Sequence, residues 1–174
     1  MVWLAALVAT SVQGQDALPL YPGKVPNSID APDTESLREK APNDRYDFLQ
    51  NVSRPKIYPY PLLAAKSPRA AVVILPGGSY RGVSIVKEGF DVAKQLNEYG
   101  VAAFVVKYRM PNDAHQPDKA IAPLQDVQQA LRMVRESAKR WNVDPQRVGV
   151  LGFSAGGHLA STAATQFSTP VIEA

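Results

Sequence analysis

The stretch that most constrains this chain is VGVLGFSAGGHLA, residues 148–160. Residues 148–151 read as a buried strand, and the small residues from Ala155 onward read as the start of a helix. Between them only Gly152, Phe153 and Ser154 remain to reverse the backbone. So sharp a turn needs positions without side chains where backbones approach closely, which accounts for Gly152 and Gly156. It does not account for the hydroxyl of Ser154. One account is a helix N-cap, a frequent task for serine. The other is a nucleophile lifted clear of a sheet, followed by a helix whose first N–H groups and dipole favour developing negative charge. The spacing Gly152, Ser154, Gly156 matches G-x-S-x-G, a motif that acquires meaning only in a strand–turn–helix context.

That context recurs upstream. AAVVIL, residues 70–75, is an apolar run ending at the breaker PGGS, and VAAFVVKY, residues 101–108, is a second such run. Continuous short apolar runs suit parallel strands buried on both faces. Between them VKEGFDVAKQLNEYG carries Phe90, Val92, Ala93 and Leu96 near helical spacing, with Gly100 as its stop. A longer amphipathic helix is expected over 123–141, with Val127, Ala130, Leu131, Val134, Ala138 and Trp141 on one face. NVDPQR then reads as a turn before the third strand. Alternating strands and helices predict an α/β fold: a three-layer α/β/α sandwich with a mostly parallel sheet, its sites at the strands' carboxyl ends. Both glycine clusters fall on that rim.

The remainder divides simply. Residues 15–69 form a proline-rich lead-in with little periodicity, within which SRPKIYPYPL offers an edge strand. Residues 1–14, MVWLAALVATSVQG, read as a signal peptide with cleavage before Gln15, its apolar run too short to span a bilayer and lacking a basic residue ahead of Lys24. The expectation is a secreted or periplasmic protein with no membrane span. Basic and acidic residues number 19 and 16 and are scattered, which argues against a nucleic-acid partner. The absence of cysteine excludes disulfide scaffolds, thiolate metal sites and a cysteine nucleophile.

The two rim loops complement each other chemically. If Ser154 is a nucleophile, Ala155 supplies one oxyanion N–H, and Gly78 and Ser79 of PGGS supply others. Neither cluster matches a dinucleotide fingerprint or a phosphate-cradling loop. No metal and no cofactor is expected. Arg109 and Asp126 are either an ion pair bracing the loop after the second strand or two unrelated surface charges.

On these motifs the chain resembles the α/β-hydrolase superfamily, and within it the secreted bacterial esterase/lipase branch that includes acetyl-xylan and feruloyl esterases. The resemblance covers about residues 52–167 and is carried by LPGGSYRGVSIVKEGFDVAKQLNEYGVAAFVVKYRMP and by APLQDVQQALRMVRESAKRWNVDPQRVGVLGFSAGGHLA. It implies serine hydrolysis of a small-molecule or polysaccharide ester through an acyl-enzyme, acetylated xylan being the expected substrate. A peptidase or aryl-formamidase would use the same groups, and a non-catalytic binding protein is the alternative of another class.

In this superfamily an Asp and a His follow the serine in chain order. After Ser154 the chain offers only His158 and Glu173. The resemblance makes His158 non-catalytic, a packing or hydrogen-bonding residue beside the turn. His115 lies on the correct rim, near Asp113, but out of chain order. The expectation is therefore that the triad Asp and His are not in this chain, which would be the N-terminal half of a hydrolase domain over residues 70–174, inactive alone and with the strand at 148–151 left at an open edge.

Overall fold

A computed structural model of the chain describes residues 16–38, 48–169 and 171. The signal-peptide reading of residues 1–14 lies outside them. In chain order the elements are β1 (Leu18–Pro19), β2 (Ser36–Leu37), β3 (Phe48–Gln50), β4 (Lys56–Tyr60), β5 (Arg69–Leu75), β6 (Gly82–Ser84), α1 (Asp91–Glu98), β7 (Ala102–Lys107), α2 (Ala122–Glu136), β8 (Val143–Gly152) and α3 (Ala155–Thr165). A π turn, Val86–Phe90, leads into α1.

The main sheet has the order β1-β4-β7-β5-β8. Its centre is parallel, β5 pairing with both β7 and β8, while β4 runs antiparallel beside β7. Every residue of β7 is buried, as an apolar run covered on both faces must be. Its alternation serves two layers. Phe104 meets Trp141, ring centroids 4.8 Å apart, and Val105 presses on Gly89 ahead of α1. α1 packs on β4 and β7, whereas α2 and α3 pack on each other and on β8.

Several local expectations need correction. The first helix begins as a π turn, with the Phe90 N–H bonded to the Ile85 carbonyl at 3.0 Å, and α1 proper starts at Asp91. It stops as expected at Gly100, whose φ of 73° suits glycine. α2 ends at Glu136, and the chain tightens into turns through which Ala138 and Trp141 remain buried. NVDPQR is not a separate turn but a bulge within β8: Arg69 pairs with Val143 and Ala71 already with Val148. Asp144 organises this bulge, accepting the Gln146 N–H at 3.0 Å and the Arg147 Nε–H at 2.8 Å. β4 is not the outermost strand, because β1 flanks its first two residues. A second sheet, β2-β3-β6, was not expected at all.

The lead-in is bound into the core: Leu20 and Val52 are buried, and buried Lys107 pairs with Glu35. Arg109 and Asp126 form the ion pair, and not at the surface, being 1% and 0% exposed with Nη2 and Oδ1 at 2.8 Å. Arg109 Nη1 donates to the Pro26 carbonyl at 2.7 Å, and the Tyr21 hydroxyl donates to Asp126 at 3.0 Å. Burial pushes the Asp126 carboxyl upward, while Arg109 and these donors pull against it. Among the described residues no helix is long and apolar enough to cross a membrane.

Candidate active site

Strand register brings the two glycine loops together. Leu75 pairs with Gly152, so the next residues of each strand, Pro76–Gly77 and Phe153–Ser154, leave the sheet side by side. The Phe153 N–H still bonds the Leu75 carbonyl at 3.1 Å, after which the chain turns. Ser154 takes φ 49° and ψ −117°, a left-handed conformation that favours glycine and costs a serine of the order of 1–3 kcal/mol. It occupies the N-cap position of α3, yet its side chain makes no capping hydrogen bond and is exposed. Helix capping therefore does not account for this serine.

The flanking glycines are required sterically. A Cβ at Gly152 would stand 2.1 Å from the Gly156 carbonyl oxygen, and one at Gly156 would stand 2.0 Å from that of Leu75. Gly77 is wedged against the turn itself, its would-be Cβ 2.5 Å from the Phe153 oxygen and 3.0 Å from Ser154 Cβ.

The loop at 77–80 is held peptide by peptide. The Gly77 carbonyl accepts the Ser84 N–H and the Gly78 carbonyl accepts the Arg81 N–H, each at 2.9 Å. In a trans peptide C=O and N–H point in opposite directions. Fixing those two carbonyls therefore fixes the opposed N–H groups of Gly78 and Ser79. Gly78 at φ 155°, Ser79 at 55° and Tyr80 at 55° form the tight left-handed path this requires. Among the described residues no protein acceptor takes the N–H of Gly78, Ser79 or Ala155.

Three side chains in or around this loop were not signalled by the sequence. Glu88, on the π turn, accepts the Gly77 N–H at 2.8 Å. Buried Tyr108 donates to the Pro76 carbonyl at 2.7 Å. Tyr80 Oη shares a 2.8 Å hydrogen bond with His158 Nδ1, tying the loop to the helix behind Ser154. Burial pushes the phenols of Tyr80 and Tyr108 up, so both remain protonated near neutral pH. Only adjacency to PGGS could have drawn attention to Tyr80; Glu88 and Tyr108 lie in stretches that read as ordinary helix and strand.

Neither histidine is bonded to Ser154. His158 lies one helical turn beyond it and faces Tyr80. His115 is buried, its Nε2 3.3 Å from Thr34 Oγ1, and it lines a hollow of about 400 Å³ with Lys24, Ile29 and Arg54. Asp113 pairs with Lys119 instead. Two smaller hollows meet at Tyr80. One, of about 310 Å³, is lined by Ile121, Leu124, His158 and Thr162; the other, of about 270 Å³, by Asn51, Arg81, Met110 and Asn112.

The chain is similar to known proteins in sequence and in fold. An acetylxylan esterase of Xylanibacter ruminicola is 48% identical over 95 residues, which are 55% of this chain and 19% of that protein. The crystal structure of an acetyl ester-xyloside bifunctional hydrolase from Caldicellulosiruptor lactoaceticus superposes with a TM-score of 0.62 at 34% identity, covering 87% of this chain and 47% of that one. Esterase 2 of Thermogutta terrifontis, solved phosphorylated by paraoxon, gives a TM-score of 0.55 at 26% identity over 82% of this chain and 49% of its own. The chain thus spans about half the length of these structural relatives and a fifth of the curated one. The model of the family described as BD-FAE matches residues 59–174. That span holds both rim loops and α1, α2 and α3, and the chain belongs to the BD-FAE family, built on the α/β-hydrolase fold.

Proposed function

We propose that this chain carries the nucleophile and oxyanion donors of a serine carboxylic-ester hydrolase that removes short acyl groups, acetyl foremost, from plant polysaccharide. The observation that carries this reading is the Ser154 hydroxyl, exposed on a strained turn and making no capping hydrogen bond, beside a loop whose pinned peptides leave N–H groups without an acceptor among the described residues. Ser154 Oγ attacks the ester carbonyl carbon, and the carbonyl oxygen gathers charge between the N–H groups of Gly78, Ser79 and Ala155. The Ser154 proton passes to a base and from it to the leaving oxygen, so collapse expels the alcohol and leaves an acyl-serine, which water hydrolyses by the reverse path. Each such donor is worth about 10²–10³ in rate, because it is fixed before charge develops. Gly152 and Gly156 hold the turn in shape.

The base and its carboxylate we assign to residues outside these 174, since His158 is engaged with Tyr80 and His115 with Thr34. The names of the Xylanibacter and Caldicellulosiruptor relatives support acetylated xylan as substrate, and a polymeric substrate supports the export reading of the N-terminus. The reactivity of the Thermogutta esterase toward paraoxon supports an acylatable nucleophile. In the full-length protein Ser154→Ala is expected to abolish acetate release from acetylated xylan and from an activated acetyl ester. Retained activity refutes the nucleophile. Faster turnover of a feruloyl ester or of formyl-kynurenine than of acetyl-xylan refutes the substrate.

A further inference from the structure

We propose that Glu88 is a positioning residue that fixes the first peptide of the oxyanion loop; this rests on the reading of Ser154 as the nucleophile. The π turn at Val86–Phe90 presents Glu88 under the loop, where Oε2 takes the Gly77 N–H at 2.8 Å. π turns are rare and energetically poorer than α turns, so one retained at this point calls for a local cause. Gly89 permits the close approach: a Cβ there would stand 2.7 Å from Val105 Cγ1 and 3.4 Å from Pro76 Cγ. Oε2 and Ser154 Cβ both lie within 3.0 Å of the point a Gly77 Cβ would occupy, which puts the carboxylate directly behind the nucleophile's turn.

The peptide between Pro76 and Gly77 is gripped at both polar atoms, its carbonyl by the Tyr108 hydroxyl and its N–H by Glu88. Gly77 is buried, so without Glu88 its N–H loses its acceptor in a place water reaches poorly. Rotation of that peptide to find another partner turns Gly77, whose carbonyl sets the direction of the Gly78 N–H. Glu88 therefore acts on the oxyanion through Gly77 and Gly78 and touches no reacting atom. The role asks for a hydrogen-bond acceptor at the right reach. It does not ask for a negative charge, which beside a developing oxyanion is unfavourable.

The test compares Glu88→Ala, Glu88→Gln and Ser154→Ala in the full-length protein, with kcat and KM measured separately on an activated acetyl ester. A misdirected donor costs up to about 10²–10³ in rate. We expect Glu88→Ala to lose at least about tenfold in kcat with KM changed less than about threefold, and Glu88→Gln, whose amide oxygen still accepts, to recover to within about threefold of wild type. If Glu88→Ala fails to fold, Glu88→Asp replaces it, its carboxylate too short to reach Gly77, with the same loss expected. Unchanged kcat in Glu88→Ala, or in Glu88→Asp where that replaces it, a loss confined to KM, or Glu88→Gln as slow as the variant lacking the acceptor overturns the proposal. With Ser154→Ala inactive, such a result removes the Glu88 assignment alone. An active Ser154→Ala removes both readings.

Discussion

Gly156 and Gly157 are neighbours in the first turn of α3, and the structure gives them opposite tolerances. Glycine inside a helix is about 1 kcal/mol less favourable than alanine, so sequence alone expects either Gly→Ala change to stabilise. At Gly156 the new Cβ would lie 2.0 Å from the Leu75 carbonyl oxygen, 2.7 Å from its carbon and 2.9 Å from the Pro76 oxygen. All three are backbone atoms at the end of β5 and of the residue that follows it, which cannot swing aside, so α3 has to withdraw from β5 by about an ångström or more. Overpacking of this kind costs about 1–3 kcal/mol, and an unyielding backbone puts Gly156 at the upper end. Subtracting the propensity gain leaves Gly156→Ala destabilised by about 2 kcal/mol. At Gly157 the nearest atom is the Gly152 oxygen at 3.3 Å, a contact relieved by a shift of a few tenths of an ångström, so Gly157→Ala is expected within about 0.5 kcal/mol of wild type. Urea unfolding of both variants in the full-length protein, monitored by circular dichroism, reads the difference. Equal stabilities within about 0.5 kcal/mol would refute the claim that the turn at Ser154 is clamped to β5.

Ser154→Gly relieves the left-handed strain at φ 49° but loosens the unfolded chain, so it is expected to be about 1 kcal/mol more stable than Ser154→Ala and to melt at a higher temperature, while both are inactive; the reverse order in differential scanning calorimetry would contradict the strain argument. Asp126→Asn leaves Arg109 buried without its counter-charge and is expected to cost about 3–5 kcal/mol in urea unfolding, against less than about 1 kcal/mol for Asp113→Asn at its exposed pair with Lys119. Residues 1–174 expressed alone are expected to react slowly with a fluorophosphonate and to self-associate in size-exclusion chromatography, because β8 has a strand neighbour on one side only among the described residues. A monomer that labels rapidly would instead return His115 to consideration as a base.

The parallel centre was legible because burial on both faces writes itself as unbroken apolar runs, at 70–75, 101–108 and 148–151. The glycine loops were legible because a sharp exit from such a strand admits few other residues. What the sequence hid has physical reasons too. β2, β3 and β6 have only two or three residues each, too short for alternation to register. The π turn differs from an α turn by one step of hydrogen bonding, not by composition, so Glu88 read as an ordinary helix residue. Leu20 and Val52 are core residues set among prolines and loops, where no period marks them as buried. The bulge at Asp144 carries turn chemistry although the ladder resumes beyond it at Val148. Ala138 and Trp141 kept the apolar period of α2 beyond its last residue, Glu136, since burial rather than helix geometry selects them.

Covalent trapping identifies the nucleophile without relying on loss of function. The full-length protein is incubated with paraoxon, digested, and its phosphorylated peptide sequenced by mass spectrometry, with Ser154→Ala in parallel. One diethylphosphoryl group is expected on Ser154, appearing in step with loss of esterase activity and absent from the variant. Inactivation with the adduct on any other residue, or an adduct on Ser154 that leaves hydrolysis intact, would contradict that expectation.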